Sequence, residues 1–240
     1  FPADDVEVVT GIDVTNSETL SEALAGAGAV IFCSSASSKG GKADAVDCLG
    51  VENVGKACIA AGVERLILVS SLGVTRPESL AFKFTNLIGN IMDYKEQGEE
   101  RLRAVYKGQD KLSYTIIRPG GLKSGAPLGL NSLLIVQGDT AYSDIDRADV
   151  AEVAVASVFK SETKFTTFEV FKREAKALSP ELKDSIYAVS GPHTSDSAFD
   201  VNSIVASKEN GQAWAEIFKG LKTDSEYDPT NAYKALKPVK

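Results

Sequence analysis

The amino-acid sequence predicts an α/β protein built on a doubly wound parallel sheet, and three observations predict it. The runs AVIFCSSA (Ala29–Ala36), RLILVSSLG (Arg65–Gly73) and YTIIRPGGL (Tyr114–Leu122) read as strands covered on both faces. Each ends in small residues, where a ligand can approach the backbone. Helical periodicity alternates with these runs, the order that builds parallel strands joined by crossovers. The third observation is what precedes them. The chain opens at Phe1, and no glycine-rich turn stands ahead of the first run. The expectation is a sheet whose N-terminal two strands are absent from this sequence, followed by an irregular C-terminal extension.

Each element has its own signal. Val6–Val9 is a short strand candidate, followed by a turn over Thr10–Asn16. Thr15-x-x-Glu18 has the spacing of a capping box for a helix through Leu20, Ala23 and Leu24, which Gly26 and Gly28 end. Val46, Leu49, Gly50, Asn53, Val54, Ala57, Cys58 and Ala61 fall on one helical face. Gly62 ends that helix before the strand Leu66–Ser70. From Gly73 to about Asn90 the pattern is irregular, and a helix then spans about Ile91–Lys107. Ser113–Arg118 is a strand, Leu133–Val136 a short one, and Thr166–Phe171 the last. Asp146-x-x-Asp149 opens a helix carrying Val150, Val153, Ala154 and Val158 on one side. Beyond Phe171 only Gln212–Leu221 reads as helix, with Trp214, Ile217 and Phe218 clustered on it. The reading therefore divides the chain into a domain over 1–171 and an extension over 172–240 that lies on a partner or across the domain surface.

If two strands are missing, the order 3-2-1-4-5-6 puts them between Val6–Val9 and Ala29–Cys33. A gap of about 10 Å, two strand widths, is then expected between Val6–Val9 and Ala29–Cys33. Direct pairing of the two segments would instead mean a rearranged fold.

Composition excludes several function classes. Hydrophobic residues make up 43% of the chain and the net charge is −7. The residues from Lys172 onward are neutral, so the acidic excess lies in the body. Phosphate-backbone recognition needs clustered Lys and Arg, which argues against nucleic acid as a partner. No apolar run reaches the ~18 residues of a membrane span. Cys33, Cys48 and Cys58 lack metal-ligand or disulfide spacing and read as small, buried, reduced thiols. His193 is the only histidine and sits in a loop, which speaks against a His metal site or a Ser-His-Asp triad. Gly26-x-Gly28 precedes a strand rather than following one, and Gly40-Gly41-Lys42 lacks the leading glycine of a P-loop.

The residues that can carry chemistry stand after the strands. Ser70 and Ser71 end one; either can bond a substrate carbonyl or a ribose, or simply satisfy a turn. Lys95 can point into a cleft and hold ribose hydroxyls, remain a solvated helix lysine, or pair with Glu99 one turn on. Pro119-Gly120-Gly121-Leu122 permits close approach to a planar ring, or makes a plain turn. Asp13 can accept from an adenine amine, or equally cap the helix that follows or serve the turn it stands in.

Taken in order, GIDVTN, the helix DCLGVENVGKACIAAG running into LILVSSLGV, NIMDYKEQGEERLR, YTIIRPGGL and SDIDRADVAEVAV resemble the atypical short-chain dehydrogenase/reductase superfamily in its NmrA-like branch. The likeness covers roughly Val6–Val170. That branch includes bacterial and plastid NAD(P)-binding proteins. The resemblance implies a Rossmann-like fold and an NADP or NAD cofactor, with binding needing the absent N-terminal unit. It also implies a set of roles. Asp13 and Val14 flank the adenine, and Cys33, Ser34 and Ser35 line the middle of the cofactor. Ser70 or Ser71 takes the catalytic serine position, with Ser71 the stronger candidate. Lys95 holds the nicotinamide ribose, and Pro119, Gly120, Gly121 and Leu122 contact the nicotinamide end.

One departure bears on activity. The superfamily's general acid is a tyrosine four residues before the lysine, and here that position is Ile91. Tyr94 is adjacent to Lys95 and turns about 100° away on a helix. Two functions follow: an NAD(P)-dependent oxidoreductase, or a catalytically silent subunit or assembly factor of a larger, photosynthetic or plastid complex. A sensor, in which bound cofactor alters a partner contact, is a weaker third. Family resemblance favours a plastid over the cytoplasm. The C-terminal extension is the expected contact to any protein partner.

Overall fold

Ladder pairing in the computed structural model, which describes residues 6–37, 40–139, 141–172, 176–177 and 208–226, builds a five-stranded sheet. β1 (Ala29–Phe32), β2 (Arg65–Val69), β3 (Ser113–Pro119) and β8 (Thr166–Lys172) run parallel in that spatial order. β5 (Leu133–Val136) closes the far side antiparallel to β8, a departure from the all-parallel expectation. Between them in sequence lie β4 (Gly121–Lys123), β6 (Ala141–Tyr142) and β7 (Asp144–Asp146); β9 (Lys176–Ala177) follows β8. β4 pairs with β7, and β6 with β9, in two small separate ribbons. The helices are α1 (Glu18–Ala23), α2 (Val51–Ala61), α3 (Leu80–Asn86), α4 (Ile91–Val105), α5 (Arg147–Phe159) and α6 (Lys208–Phe218). A π-helical turn, Asp44–Gly50, leads into α2.

Alternation along the strands assigns the two faces of the sheet. Leu66, Leu68 and Ile116 pack with Val54 and Cys58 of α2 and Leu102 of α4. Ile67 and Ile117 pack on the opposite side with Val153 of α5 and with Trp214, Ile217 and Phe218 of α6. Helices thus cover both faces, as the apolar runs of β2 and β3 require. β3 is buried along its whole length.

The structure departs from the sequence reading at several points. Val6–Val9 forms no strand, and Val6, Val8 and Val9 are exposed at 55%, 80% and 58%. A strand exists only with a ladder partner, and none faces this segment or the outer edge of β1 among the described residues. β1 is therefore an edge strand, with Ile31 exposed, rather than one covered on both faces. Cys33 shares that exposure, contrary to the buried thiol expected, whereas Cys48 and Cys58 are buried.

The stretch read as irregular between Gly73 and Asn90 contains α3, capped by the Ser79 hydroxyl accepting from the Phe82 N–H at 3.1 Å. The Thr15 capping box does not form. Thr15 instead bonds Asp13, and the Asn16 side chain accepts from the Glu18 N–H.

Of the two placements expected for the C-terminal extension, α6 takes the one on the domain rather than on a partner. Trp214, Ile217 and Phe218 are buried in the main core, so the clustered apolar face of α6 is spent there. The segment after α6 is fixed as well: Gln137 and Lys222 exchange two hydrogen bonds, and the Asp224 N–H donates to the Phe165 carbonyl. His193, Tyr187 and Phe199 lie outside the described residues.

Candidate functional site

Parallel pairing puts the carboxyl ends of β1, β2 and β3 on one edge of the sheet, where ligands bind in such folds. The ladder continues past the strand ends. The Ser70 N–H donates to the Ile117 carbonyl at 2.8 Å, and the Leu72 N–H to the Pro119 carbonyl at 3.0 Å. This keeps the Ser70–Leu72 loop beside Pro119-Gly120.

Asp47 organises this edge. It lies in the π-helical turn, and its side chain is only 1% exposed. Its carboxylate accepts from the Ser35 hydroxyl at 2.8 Å, the Ala36 N–H at 2.9 Å and the Lys95 ammonium at 2.7 Å. One buried carboxylate therefore joins the loop after β1 to α4. Each extra donor offsets part of the desolvation cost that a buried ion pair carries. Lys95 pairs with Asp47 and not with Glu99. An ammonium has three donors, so Lys95 has capacity beyond this bond.

The close approach of α4 to the π-turn depends on Gly98. A Cβ there would stand 2.0 Å from the Asp47 carbonyl oxygen.

Phe32, Ser34, Asp47, Val51, Ser70 and Lys95 line a small recess at the ends of β1 and β2. Of the residues singled out in the sequence, the fold brings Ser34, Ser70 and Lys95 together here. The Ser70 hydroxyl is buried and makes no hydrogen bond in the structure; it lies near the Glu99 carboxylate but outside bonding geometry.

Behind the recess runs a buried ionic chain centred on Arg118. Its guanidinium grips Glu99 of α4 twice, at 2.7 and 3.1 Å, and Glu169 of β8 at 3.2 Å. Arg103 also reaches Glu99, at 3.1 Å. Glu169 accepts from the Asp139 N–H at 3.1 Å. Asp139, at φ +54°, accepts from the Gly73 N–H and the Thr75 hydroxyl and pairs with Arg76. Burial alone would raise the Glu99 carboxyl, but Arg118 and Arg103 outweigh it and hold it down at about 2. Burial and the neighbouring Asp139 push Glu169 up to about 7, against the pull of Arg118. The chain ties α4, the end of β3 and the loop after β2 to one another.

The remaining candidates sit around this core. Asp13 is exposed and accepts from the Thr15 N–H and hydroxyl; the N–H bond, the larger cause, and the hydroxyl bond lower its pKa. This is its turn reading. Val14 lies close over Gly50, and its carbonyl accepts from Asn53, so the Asp13 turn is pinned to the start of α2. Cys33 is exposed and does not line the recess. Ser71 points its hydroxyl at the Leu72 carbonyl at 3.2 Å, so Ser70 and not Ser71 shares the recess with Lys95. Pro119 and Gly120 are buried, whereas Gly121 and Leu122 are exposed on β4. None of the four lines the recess. The glycine at 120 serves backbone packing, since a Cβ there would meet the Ser143 carbonyl oxygen at 2.0 Å.

A profile described as NAD(P)H-binding matches residues 1–161. The chain belongs to this NAD(P)H-binding family. An uncharacterized chloroplastic protein of Arabidopsis thaliana (At2g34460) is 36% identical over 152 residues, covering 61% of this chain and 51% of the relative. The chloroplastic protein TIC 62 of Oryza sativa subsp. japonica is 32% identical over 165 residues, covering 65% of this chain and 32% of its own length. Among solved structures, a short-chain dehydrogenase/reductase (wide type) from Veillonella parvula in complex with NADP superposes with TM-score 0.53 at 17% identity, covering 68% of this chain and 71% of that one. The first two curated relatives are spanned over only about half their length, 51% and 55%. The Rossmann-like, NAD(P)-binding character that the motifs implied is thus the family's own.

Sequence reasoning missed Asp47, the residue to which Lys95 is bound. Its signal is an acidic residue inside DAVDCLG, at the head of an otherwise apolar helix. An unbroken α-helix puts Leu49 inside. The π-helical turn widens the helix by about one residue per turn and shifts the register. Leu49 turns out to solvent at 46% exposure while Asp47, Cys48 and Val51 turn in.

Proposed function

We propose that this chain supplies the nicotinamide-ribose half of an NAD(P)-dependent oxidoreductase site of the atypical short-chain dehydrogenase/reductase type. The single observation that carries the reading is the recess in which the buried Ser70 hydroxyl, close to the Glu99 carboxylate, stands beside the Asp47-held Lys95 ammonium. The recess itself, about 10 Å³, admits no more than a water-sized group, so a polyhydroxylated ribose on the carboxyl edge of the sheet would lie across its mouth and meet those donors there. When bound, the nicotinamide supplies or accepts the electrons. The chain's own groups do the rest: Lys95 orients the ribose, Asp47 fixes Lys95, and Ser70 donates to an oxygen brought into the recess. Asp13, Val14, Cys33, Ser35, Ser71 and Pro119–Leu122 are proposed as the outer contacts of the same cofactor. The reading takes a nicotinamide dinucleotide, NADP or NAD alike, as the family's NAD(P)H-binding character has it. A plastid location is favoured by the chloroplastic relatives.

Calorimetric titration of the full-length protein with NADPH and NADH tests the reading. Lys95→Ala is expected to weaken binding by about 1.5–3 kcal/mol, the range of a charged hydrogen bond. Unchanged affinity would remove Lys95 from the site.

A second reading, a catalytically silent subunit or assembly factor, is favoured by Ile91. It is buried with Met92 and Phe82 where the superfamily places its tyrosine acid. Tyr94 packs at the edge of that cluster and lines a different hollow from Lys95. Tyr94→Phe is therefore expected to leave any turnover within a few-fold. A loss of about 100-fold, the size expected for an acid catalyst, would show that the phenol does reach the chemistry.

A further inference from the structure

Asp139 stands outside the recess, yet three groups of the loop that carries Ser70 end on its carboxylate. The Gly73 N–H donates to Oδ1 at 2.9 Å, the Thr75 hydroxyl donates to Oδ2 at 2.8 Å, and the Arg76 guanidinium lies 3.2 Å from Oδ1. Thr75, Arg76 and Asp139 are all buried. Gly73 and Asp139 are 66 residues apart in the chain, so this is a tertiary contact and not a local turn. The other end of the loop is held differently: the Ser70 and Leu72 N–H groups continue the ladder on β3. Ser70 and Ser71 therefore lie between two anchors, a strand on one side and Asp139 on the other.

The backbone at Asp139 is shaped for this contact. Gly138 and Asp139 have φ of +118° and +54°, the left-handed region that favours glycine. A second glycine would serve the turn with less strain; aspartate keeps the strain and sets a carboxylate against the loop. Glu169 accepts the Asp139 N–H at 3.1 Å and Arg76 pairs with the carboxylate, so the residue is fixed from both sides. Asp47 does the equivalent for the loop after β1 and for Lys95.

We propose that Asp139 is a positioning residue of the cofactor site: it fixes the loop after β2 and, through it, the Ser70 hydroxyl that meets the ribose. This rests on the nicotinamide reading above. A tie that only stabilised the fold would add its effect on binding to that of any other variant. A residue that acts through Ser70 loses its effect once the Ser70 hydroxyl is gone.

A double-variant cycle tests this, with affinity for NADPH and NADH read by calorimetry on the full-length protein. Asp139→Asn keeps a side chain that tolerates the left-handed turn and removes the charge that pairs with Arg76. It is expected to weaken binding about threefold to tenfold, as is Ser70→Ala, the worth of one neutral hydrogen bond. The double variant should bind no more than about twofold worse than Ser70→Ala alone. Thr75→Val removes one of the same bonds from the loop side and carries the same cycle if Asp139→Asn fails to fold. Losses that multiply in the double variant, or an Asp139→Asn protein that binds as the wild type does, overturn the proposal. So does wild-type binding that Ser70→Ala leaves unchanged, since Asp139 then has no hydroxyl to place. Additive losses remove the role of Asp139 alone, whereas absence of dinucleotide binding by the wild type removes the nicotinamide reading and this inference with it.

Discussion

Arg118→Met is expected to destabilise the protein by about 3–5 kcal/mol, because it strips the cation from two fully buried carboxylates. The size follows from an asymmetry. Replacing a whole buried ionic cluster by apolar groups can be neutral, but removing one partner leaves uncompensated charge. The pH dependence identifies the cause. Glu99 is held at about 2, below its ordinary 4.5, so it contributes stability that is present above about 4.5 and lost as pH falls toward 2. Glu169 is raised to about 7, so its contribution is present below about 4.5 and lost as pH rises through 7. In the variant Glu99 keeps Arg103, whereas Glu169 keeps only the Asp139 N–H and faces the Asp139 carboxylate. Glu169 then folds most easily with its proton on. The deficit should be deepest above pH 7 and shrink toward pH 5. Urea denaturation at pH 5 and pH 8 measures it; an equal deficit at both would mean that lost packing, not lost charge, is responsible.

Gly98→Ala separates two physical arguments that predict opposite signs. Glycine inside a helix is worse than alanine by about 0.8–1.0 kcal/mol, so propensity alone predicts a more stable protein. Here the new methyl would fall 2.0 Å from the Asp47 carbonyl oxygen, and backbone on both sides must move apart. Overpacking of this kind costs about 1–3 kcal/mol, and a backbone oxygen cannot swing aside as a side chain does. The expected outcome is a loss near the upper end of that range. Displacing α4 from the π-turn also lengthens the Lys95–Asp47 contact, so NADPH affinity should fall with stability. Thermal unfolding and NADPH titration of the same variant check both. A higher melting temperature with unchanged affinity would refute the close packing of α4 on Asp47.

Much of the fold was legible because burial on both faces leaves a plain mark. β2 and β3 read as continuous apolar runs, β5 matched residue for residue, and α4 and α5 began where their periodicity began. The small residues after the strands marked the carboxyl edge, and Ser34, Ser70 and Lys95 meet there. Elements whose character depends on neighbours were not legible. Val6–Val9 has strand composition but no ladder partner among the described residues. α3 was hidden because its apolar stripe faces out and a short helix has little periodicity to read. α6 read as part of an extension, since nothing in Trp214, Ile217 and Phe218 says which surface they cover.

The sequence by itself determined the fold class, the edge that carries the candidate site, and the family, because these follow from periodicity, strand ends and motif order. Tertiary structure alone decided which charges meet. Lys95 had Glu99 one turn away, yet Glu99 is taken by Arg118 from β3 and Arg103, and Lys95 is taken by Asp47 from a π-turn. Partner choice for a buried charge is settled by desolvation, which forces each group onto the nearest opposite charge that packing delivers. Packing delivers Arg118 to Glu99 across 19 residues of chain, and Asp47 to Lys95 across 48, through one extra residue in a helical turn and a glycine that lets two backbones touch.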